Sequence, residues 1–244
     1  EETACDAAAE LAVNLRPATS LSQVKRLLTE TDEAHTMMAR FGAPSFGGLK
    51  DVSNSLRRAE AGGTLNMGEL LRISMVLRTL RGIVDWRSKS EGVKSILDDR
   101  FDAIMPNKYL EERINQAILS EEEMADSASP QLATIRRKIR SASSRAREQL
   151  EKMVRSPATQ KYLQDPIIMR DGRFVVPVKA ECRGDVPGLV HDTSSSGATV
   201  FVEPMAVVEA NNEVRVLLSQ EQAEIDRILG ELSAEAGNFA SGII

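Results

Sequence analysis

Residues 129–155 read SPQLATIRRKIRSASSRAREQLEKMVR and decide the fold more than any other stretch of the chain. Ser129 can cap a helix because its hydroxyl can accept from a first-turn amide, and Pro130 needs no amide donor at the first helical position. Apolar residues then recur three or four positions apart, at Leu132, Ile135, Ile139, Ala142, Ala146, Leu150 and Met153. Such a narrow stripe is typical of a long helix that packs along another helix.

A second long helix is predicted after Glu203-Pro204. Its apolar stripe contains Val207, Ala210, Val214, Leu217, Ile225, Ile228 and Leu232, with Glu221 at one stripe position. Because only a short insert separates the two helices, the simplest arrangement is antiparallel, with each stripe covering the other. The first helix is rich in Arg and Lys and the second in Glu, which favours the same pairing. The basic residues could instead form a nucleic-acid track, and the residues alone leave both interpretations open.

The insert between the two helices has a β-type pattern. Asp171-Gly172 can supply the positive φ angles of a tight hairpin turn. The predicted strands span 167–170, 173–179, 189–191 and 198–202, with loops at 184–188 and 193–197. Pro177 cannot donate to a sheet ladder and therefore predicts an edge position. We expect a small antiparallel sheet at the end of the helix pair.

The first half of the chain is predicted to be a helical body. Clusters of Pro and Gly interrupt its helical periodicity and delimit about five helices. Ser20 and Asn66 are the predicted N-caps of two of them. Glu121-Glu122-Glu123 could bind a metal or a protein, but a solvated connector is the common role of such a run. The fold class is therefore mainly α, with a helical core, two long antiparallel helices and a small antiparallel β tip.

Composition limits the classes of function. The chain has 42% hydrophobic residues, enough for a core, and a net charge of −5, so any nucleic-acid contact needs a local basic patch. It has no apolar run long enough to span a bilayer, and its acidic opening is unlike a signal peptide. We expect a cytoplasmic protein without a membrane partner. Because the chain starts inside a helical pattern, we expect a fragment of a longer protein.

The residues that usually carry catalysis are scattered. Cys5 and Cys182 lie far apart, without the paired spacing of a metal site. No Gly-x-x-x-x-Gly-Lys-Ser/Thr phosphate loop occurs in the sequence. His191 and Asp192 are neighbours in a predicted strand, so their side chains point to opposite faces and cannot converge as a triad requires. His35 has no second ligand nearby, and we expect no catalysis, cofactor or metal in this chain.

Polar groups around the predicted sheet are candidate nucleic-acid ligands. They are Lys161, Arg170, Arg173, Lys179, Arg183, Ser194, Ser195 and Ser196. Arg and Lys attract phosphates by charge, and Ser hydroxyls donate hydrogen bonds to phosphate oxygens. Without an aromatic ladder or a base-reading motif, the expected recognition is of shape and backbone. Alternatively, a small sheet simply needs a polar surface, or its tip binds another protein.

Several motifs of the chain resemble one protein family. They are KYLQDP at 161–166, RFVVPVKAE at 173–181, GLVHDTSSSGAT at 188–199, FVEP at 201–204, FGGL at 46–49, LRRA at 56–59 and DSASP at 126–130. These stretches closely resemble the MutS family and, within it, the second bacterial subfamily, MutS-two, whose members carry an Smr domain. The likeness covers nearly the whole chain. One departure is LSEEEM at 119–124, where the family usually has a glycine-containing turn.

The resemblance implies a division of labour along the chain. Residues 1–125 would be a core domain, 126–160 an outgoing lever helix, 161–203 a β-rich clamp and 204–244 a truncated return lever helix. The intact protein would be a homodimeric ATPase that uses ATP and Mg, followed by a nuclease-type Smr domain. Its implied partner is branched or duplex DNA, where it would suppress homologous recombination, or the ribosome and its rRNA, where it would sense and split collided ribosomes.

Overall fold

The computed structural model describes residues 3, 6–90, 93–163 and 167–243. The protein is mostly helical with one four-stranded antiparallel sheet, which confirms the predicted fold class. The chain forms two compact units, unit 1 from residues 1–128 and 227–244 and unit 2 from residues 129–226. The four-part division into core, levers and clamp by residue number stays a prediction.

Unit 1 contains six helices before residue 128 in the part of the chain that the structure describes. They are α1 (Asp6–Val13), α2 (Leu21–Phe41), α3 (Ser53–Glu60), α4 (Met67–Lys89), α5 (Asp98–Asp102) and α6 (Lys108–Ala117), followed by a 3-10 turn at Asp126–Ala128. The prediction of about five helices missed α5, because five residues are too few for a helical period to show. Glu121, Glu122 and Glu123 are exposed, as a solvated connector requires.

Two of the predicted N-caps behave differently in unit 1. The Asn66 side chain accepts from the amide of Glu69 at 2.9 Å, and the Glu69 carboxylate accepts from the amide of Asn66 at 3.0 Å, a complete capping box. Helix α2 begins after Ser20 as predicted, but the Ser20 hydroxyl lies 2.8 Å from the Ser22 hydroxyl and caps no amide. The prediction of a side-chain cap at Ser20 is therefore wrong.

The core of unit 1 includes the last part of helix α8 (Met205–Asn238). Leu232 is buried there, and the Ser233 hydroxyl accepts from the buried amide of Leu65 at 2.8 Å. Elsewhere in unit 1, Arg81 donates from Nε and Nη2 to the two carboxylate oxygens of the buried Glu111, each at 2.9 Å. Unit 1 therefore depends on residues from both ends of the chain.

Unit 2 is built on helix α7 (Pro130–Arg155) and the first part of α8. The Ser129 hydroxyl accepts from the Leu132 amide at 2.9 Å and donates to the buried Glu224 carboxylate at 2.6 Å, and Pro130 occupies the first turn. Five predicted stripe residues of α7 are buried: Leu132, Ile135, Ala142, Ala146 and Leu150. The stripe prediction for α7 is thus confirmed at these positions.

Ion pairs fix the direction of α8 relative to α7 within unit 2. Arg136 pairs with Glu221 at 2.6 Å, and Arg145 pairs with Glu213 at 2.5 Å. The later residue of α7, Arg145, pairs with the earlier residue of α8, Glu213. The two helices are therefore antiparallel. The pair with Arg136 also explains why an acidic residue interrupts the apolar stripe of α8.

The sheet of unit 2 has the order β1-β2-β4-β3, with all neighbours antiparallel. Its strands are β1 (Ile168–Arg170), β2 (Arg173–Lys179), β3 (Gly188–Thr193) and β4 (Thr199–Pro204). Asp171 and Gly172 have φ angles of 48° and 74°, as the predicted hairpin turn requires. One face of the sheet buries Phe174, Val176 and Val202 in a cluster with Ala146, Leu150 and Val207 of the helices.

Two details of the sheet differ from the prediction. Pro177 was expected on an edge strand, but β2 is interior. The proline is accommodated because the pairing of β1 with β2 ends at Val175, two residues before Pro177. The predicted loop after β2 is partly a 3-10 helix, Ala180–Asp185.

Candidate functional site

The sheet places seven of the eight predicted nucleic-acid ligands at two opposite ends of β2, and the eighth, Arg183, lies in the 3-10 helix Ala180–Asp185. Lys179 pairs with Thr199 at one end of β2, where the β3–β4 turn carries Ser194, Ser195 and Ser196. The Lys179 amide donates to the carbonyl of Tyr162 at 3.1 Å, which brings Lys161 to the same end. We call Lys161, Lys179, Ser194, Ser195 and Ser196 the serine end of the sheet. Arg170 and Arg173 pair with each other at the opposite end of β2.

Two of the three serines build the turn of the serine end. The Ser194 hydroxyl accepts from the Thr199 amide at 3.0 Å, and the Ser196 hydroxyl lies 3.3 Å from the Ser194 hydroxyl. Gly197, with a φ of 73°, closes the turn. Ser195 is exposed, and its hydroxyl makes no hydrogen bond with the residues that the structure describes. Ser195 can therefore donate to a ligand without breaking the turn.

The two lysines give the serine end its positive charge. The Lys161 ammonium lies 4.7 Å from the centre of the Tyr162 ring, and its hydrogen bond with Tyr162 raises the pKa of Lys161 above its usual range. Lys161 is exposed and fully protonated at neutral pH. Lys179 is half-buried beside a shallow pocket that Ala180, Glu181 and Ala198 also line. An anion at this end would meet two ammonium groups and the carboxylates of Glu181, beside Lys179, and Asp185, close enough to Lys161 to interact with its charge.

The three predicted arginines each have a partner within unit 2. Arg173 donates to both oxygens of the buried Glu203 carboxylate, at 2.7 and 3.0 Å. Arg183 donates to the carbonyls of Val186 and Gly188 and so holds the loop before β3. The exposed Arg170 guanidinium lies over the Phe201 ring, 4.7 Å from its centre. Their role as phosphate ligands stays a prediction, and these contacts already give Arg173 and Arg183 a structural role.

Sequence reasoning missed a buried polar cluster that we call the Glu203 cluster: Arg173, His191, Glu203 and Asn211. Glu203 has no exposed surface, and it accepts from Asn211 at 2.8 Å as well as from Arg173. His191 Nε2 lies 2.5 Å from the same carboxylate. The Asn211 amide also accepts from the Phe174 backbone amide at 3.1 Å and donates to its carbonyl at 3.0 Å. The cluster therefore joins three strands to the start of α8.

The Glu203 cluster left one signal in the sequence. Glu203 is the one charged residue in the otherwise mostly apolar strand β4, and Asn211 follows Val207 by one helical turn, where an apolar residue would fit the stripe. A single Glu or Asn in such a position is common where the side chain faces water. These two residues become informative only when both are known to be buried. His191, interpreted as a structural residue, lies inside this cluster.

The Glu203 cluster predicts that the stability of unit 2 falls in acid. Burial alone would raise the pKa of the Glu203 carboxyl, but hydrogen bonds from Asn211, His191 and Arg173 outweigh it and hold the pKa below its usual range. Because the folded pKa is depressed, this contribution to stability is present above the unfolded pKa of about 4.3 and is lost as pH falls through the folded pKa.

We expect faster hydrogen exchange of the Phe174 amide as pH is lowered from 5 towards 3, after correction for intrinsic exchange rates. Glu203→Gln should remove most of this extra pH dependence, and an unchanged profile would contradict the assignment.

Neither a metal site nor a membrane span is evident in the described residues. No group of three or more His, Cys, Asp or Glu side chains there could hold a metal ion. None of the described helices is both long and apolar enough to cross a membrane. Cys182 is a half-buried free thiol, and Cys5 lies outside the described residues.

Comparison with known proteins finds close relatives but no matching family model. The chain is 48% identical over 231 residues to a protein of Acetivibrio thermocellus named Endonuclease MutS2, covering 93% of this chain and 29% of that protein. Proteins of the same name from Ruminiclostridium cellulolyticum and Agathobacter rectalis are 45% and 42% identical over 96% and 98% of this chain. The chain spans only about 30% of the length of these curated relatives.

Proposed function

Because this chain corresponds to a segment of a protein of the MutS2 family, we propose that the sheet of unit 2 is a nucleic-acid clamp carried on α7 and α8. The observation that carries the proposal is the serine end, where two lysines and Ser195, whose hydroxyl makes no hydrogen bond with the described residues, lie at the same end of β2 and β4. Such a surface suits phosphate oxygens, which need positive charge and hydrogen-bond donors.

The clamp would hold its ligand by the backbone and not by base sequence. Lys161 and Lys179 would attract phosphates over a distance set by the salt concentration, and Ser195 would donate one hydrogen bond. Because Ser194 and Ser196 are bonded within their turn, the serine end keeps its shape without a ligand. The Glu203 cluster would hold the sheet on α8, so that a shift of the helix moves the clamp as one body.

The proposal extends to the ligand and the task of the intact protein. We infer that the ligand is either branched or duplex DNA, in which case the protein would suppress homologous recombination, or the ribosome and its rRNA, in which case it would sense and split collided ribosomes. The relatives are named endonucleases, and the intact protein would be a cytoplasmic homodimer that uses ATP and Mg. The residues of this chain do not fit an ATP site, since its sequence lacks the phosphate loop.

A protein-interaction arm is the second candidate function. The observation in its favour is β3, which is an edge strand with Leu189 and Val190 each 48% exposed. An exposed strand edge with apolar side chains can accept a strand from another protein. This alternative predicts binding that depends little on salt and no affinity for nucleic acid.

Charge reversal at the serine end tests the clamp. We expect Lys161→Glu/Lys179→Glu to weaken binding to nucleic acid roughly 100-fold at low salt, and to reduce the slope of log affinity against log salt by about 2. Fluorescence anisotropy with a four-way DNA junction, a matched linear duplex and a structured rRNA fragment would measure both effects. The ligand that binds tightest would indicate which branch of function applies.

The matched control is Lys25→Glu/Lys50→Glu, which reverses two exposed lysines of unit 1. The control corrects for the change of net charge, because both double variants differ from the unaltered chain by the same amount. Equal losses in the two double variants, or no binding by the unaltered chain at low salt, would contradict the clamp.

A further inference from the structure

A groove in unit 2 runs beside the last turns of α7. It is lined by Arg147, Glu151, Val154, Arg155 and Ile167 and has a volume of about 300 Å³. None of these residues belongs to the serine end. The groove is therefore a separate place at which unit 2 could contact a ligand.

The positive groups of the groove are arranged along one helix face. Arg147, Glu151 and Arg155 follow each other at intervals of four residues, so the two arginines start about 12 Å apart along the helix axis. The Arg147 guanidinium lies 5.9 Å from the centre of the ring of Phe174, which is buried. This contact would hold the Arg147 guanidinium in place before a ligand binds. Arg155 lies 3.7 Å from the Glu151 carboxylate on the exposed surface.

We propose that this groove binds one unpaired nucleotide, a proposal that rests on the clamp function and narrows its ligand. The aliphatic side chains of Val154 and Ile167 would contact the face of the base, and Arg147 and Arg155 would bind the flanking phosphates. The Glu151 carboxylate can accept from an exocyclic amino group, as acidic side chains do with cytosine. A volume of about 300 Å³ suits a ligand of the size of one nucleotide.

An acidic peptide fits the groove less well. The Glu151 carboxylate would repel acidic side chains at the place where it favours a base amino group. A peptide helix would also need apolar contacts at three or four positions over two turns, and among the described lining residues only Val154 and Ile167 are aliphatic. The chemistry of the lining therefore favours a base with its phosphates.

The nucleotide groove would let the clamp distinguish nucleic acids that carry an unpaired nucleotide from a closed duplex. Phosphates are the same in a closed duplex and in a branched or bulged one, so the serine end alone cannot distinguish them. An unpaired base can leave the stack at little cost and enter a groove that a paired base cannot reach. We therefore expect unit 2 to prefer nucleic acids that carry an unpaired nucleotide.

The test compares three DNA ligands of equal length with the full chain: a closed duplex, a duplex with one bulged cytosine and the same duplex with an abasic site at the bulge. We expect the bulged cytosine to bind about tenfold tighter than the closed duplex and about fivefold tighter than the abasic bulge. Arg147→Ala should abolish the advantage of the cytosine bulge and change affinity for the closed duplex less than twofold. Arg72→Ala, which removes an exposed guanidinium from α4 in unit 1, is the matched control and should keep the advantage.

Three other results would each contradict the proposal that the groove binds a nucleotide. Equal affinity for the cytosine and abasic bulges would mean that flexibility is recognised and no base is bound. If Arg147→Ala kept the preference for the bulged cytosine over the closed duplex, the groove would not be the place where the base binds. Displacement of the bulged duplex by an acidic peptide, lost in Arg147→Ala, would assign the groove to a protein partner.

The failure of the two proposals can be told apart. Binding to all three ligands with equal affinity, and sensitivity to Lys161→Glu/Lys179→Glu, would leave the clamp and reject the nucleotide groove. Binding to none of the three ligands would reject both. Thermal unfolding of Arg147→Ala should match that of the unaltered chain, since Arg147 is exposed.

Discussion

Glu203→Ala is expected to lower the free energy of unfolding of unit 2 by about 3–5 kcal/mol, the cost of leaving one member of a buried ion pair without its partner. The substitution would leave Arg173, His191 and Asn211 without their shared acceptor in a site where the carboxylate has no exposed surface. Native-state hydrogen exchange of the β2 amides under increasing urea would measure the loss.

Two variants separate the charge of Glu203 from its hydrogen bonds. Glu203→Gln keeps the shape and one acceptor oxygen, so it should cost less than Glu203→Ala. Glu209→Ala removes an exposed carboxylate from the first turns of α8 and should change stability by less than about 0.5 kcal/mol. A loss below about 1 kcal/mol in Glu203→Ala would contradict the prediction, because it would mean that Arg173 can remain in place without its buried partner at little cost.

Gly237→Ala is expected to destabilise unit 1 by about 3 kcal/mol, at the upper end of what overpacking usually costs. An added Cβ at Gly237 would lie 2.6 Å from the carbonyl carbon of Ala59 and 2.7 Å from the amide nitrogen of Glu60. Both atoms are backbone, so the clash cannot be relieved by a change of side-chain rotamer. Urea unfolding followed by the fluorescence of Trp86, the single tryptophan, would report on unit 1.

Gly230→Ala is the matched control for this prediction. It lies in the same helix and unit, and an added Cβ there would meet no atom within 4 Å. Since alanine favours a helix over glycine, we expect Gly230→Ala to stabilise unit 1 by about 0.5–1 kcal/mol. Stabilisation by both substitutions would show that α8 and α3 can separate at little cost.

Local signals explain why the fold could be predicted. The stripe of α7 and its start at Ser129-Pro130 depend on residues within a few turns, and the Asp171-Gly172 turn depends on two residues. The same reasoning overlooked α5, which is too short to show a period, and placed Pro177 at an edge. That error arose because whether β1 extends past Val175 depends on the partner strand and not on β2 itself.

The candidate site was less predictable because it depends on register. The separation of Arg173 from Lys179 follows from the predicted strand 173–179 itself, but which residues of β4 and which loops lie beside each end depends on the pairing of β2 with its neighbours. The Glu203 cluster joins residues from three strands and a helix, and no single segment reveals that they meet. Sequence reasoning therefore named polar residues correctly by type and could not tell which would face a ligand and which would hold the sheet.

The order of the two units along the chain has a consequence for synthesis. Unit 2 is a continuous segment, whereas unit 1 is interrupted by it and is completed only by residues 227–244. A nascent chain that has reached residue 128 lacks Ser233, the acceptor for the buried Leu65 amide, and must wait while unit 2 is translated, roughly 5–20 s at ordinary elongation rates. During that interval, the incomplete helical body exposes apolar surface that its own last helix will cover, so unit 2 is the part of the protein that can finish folding first.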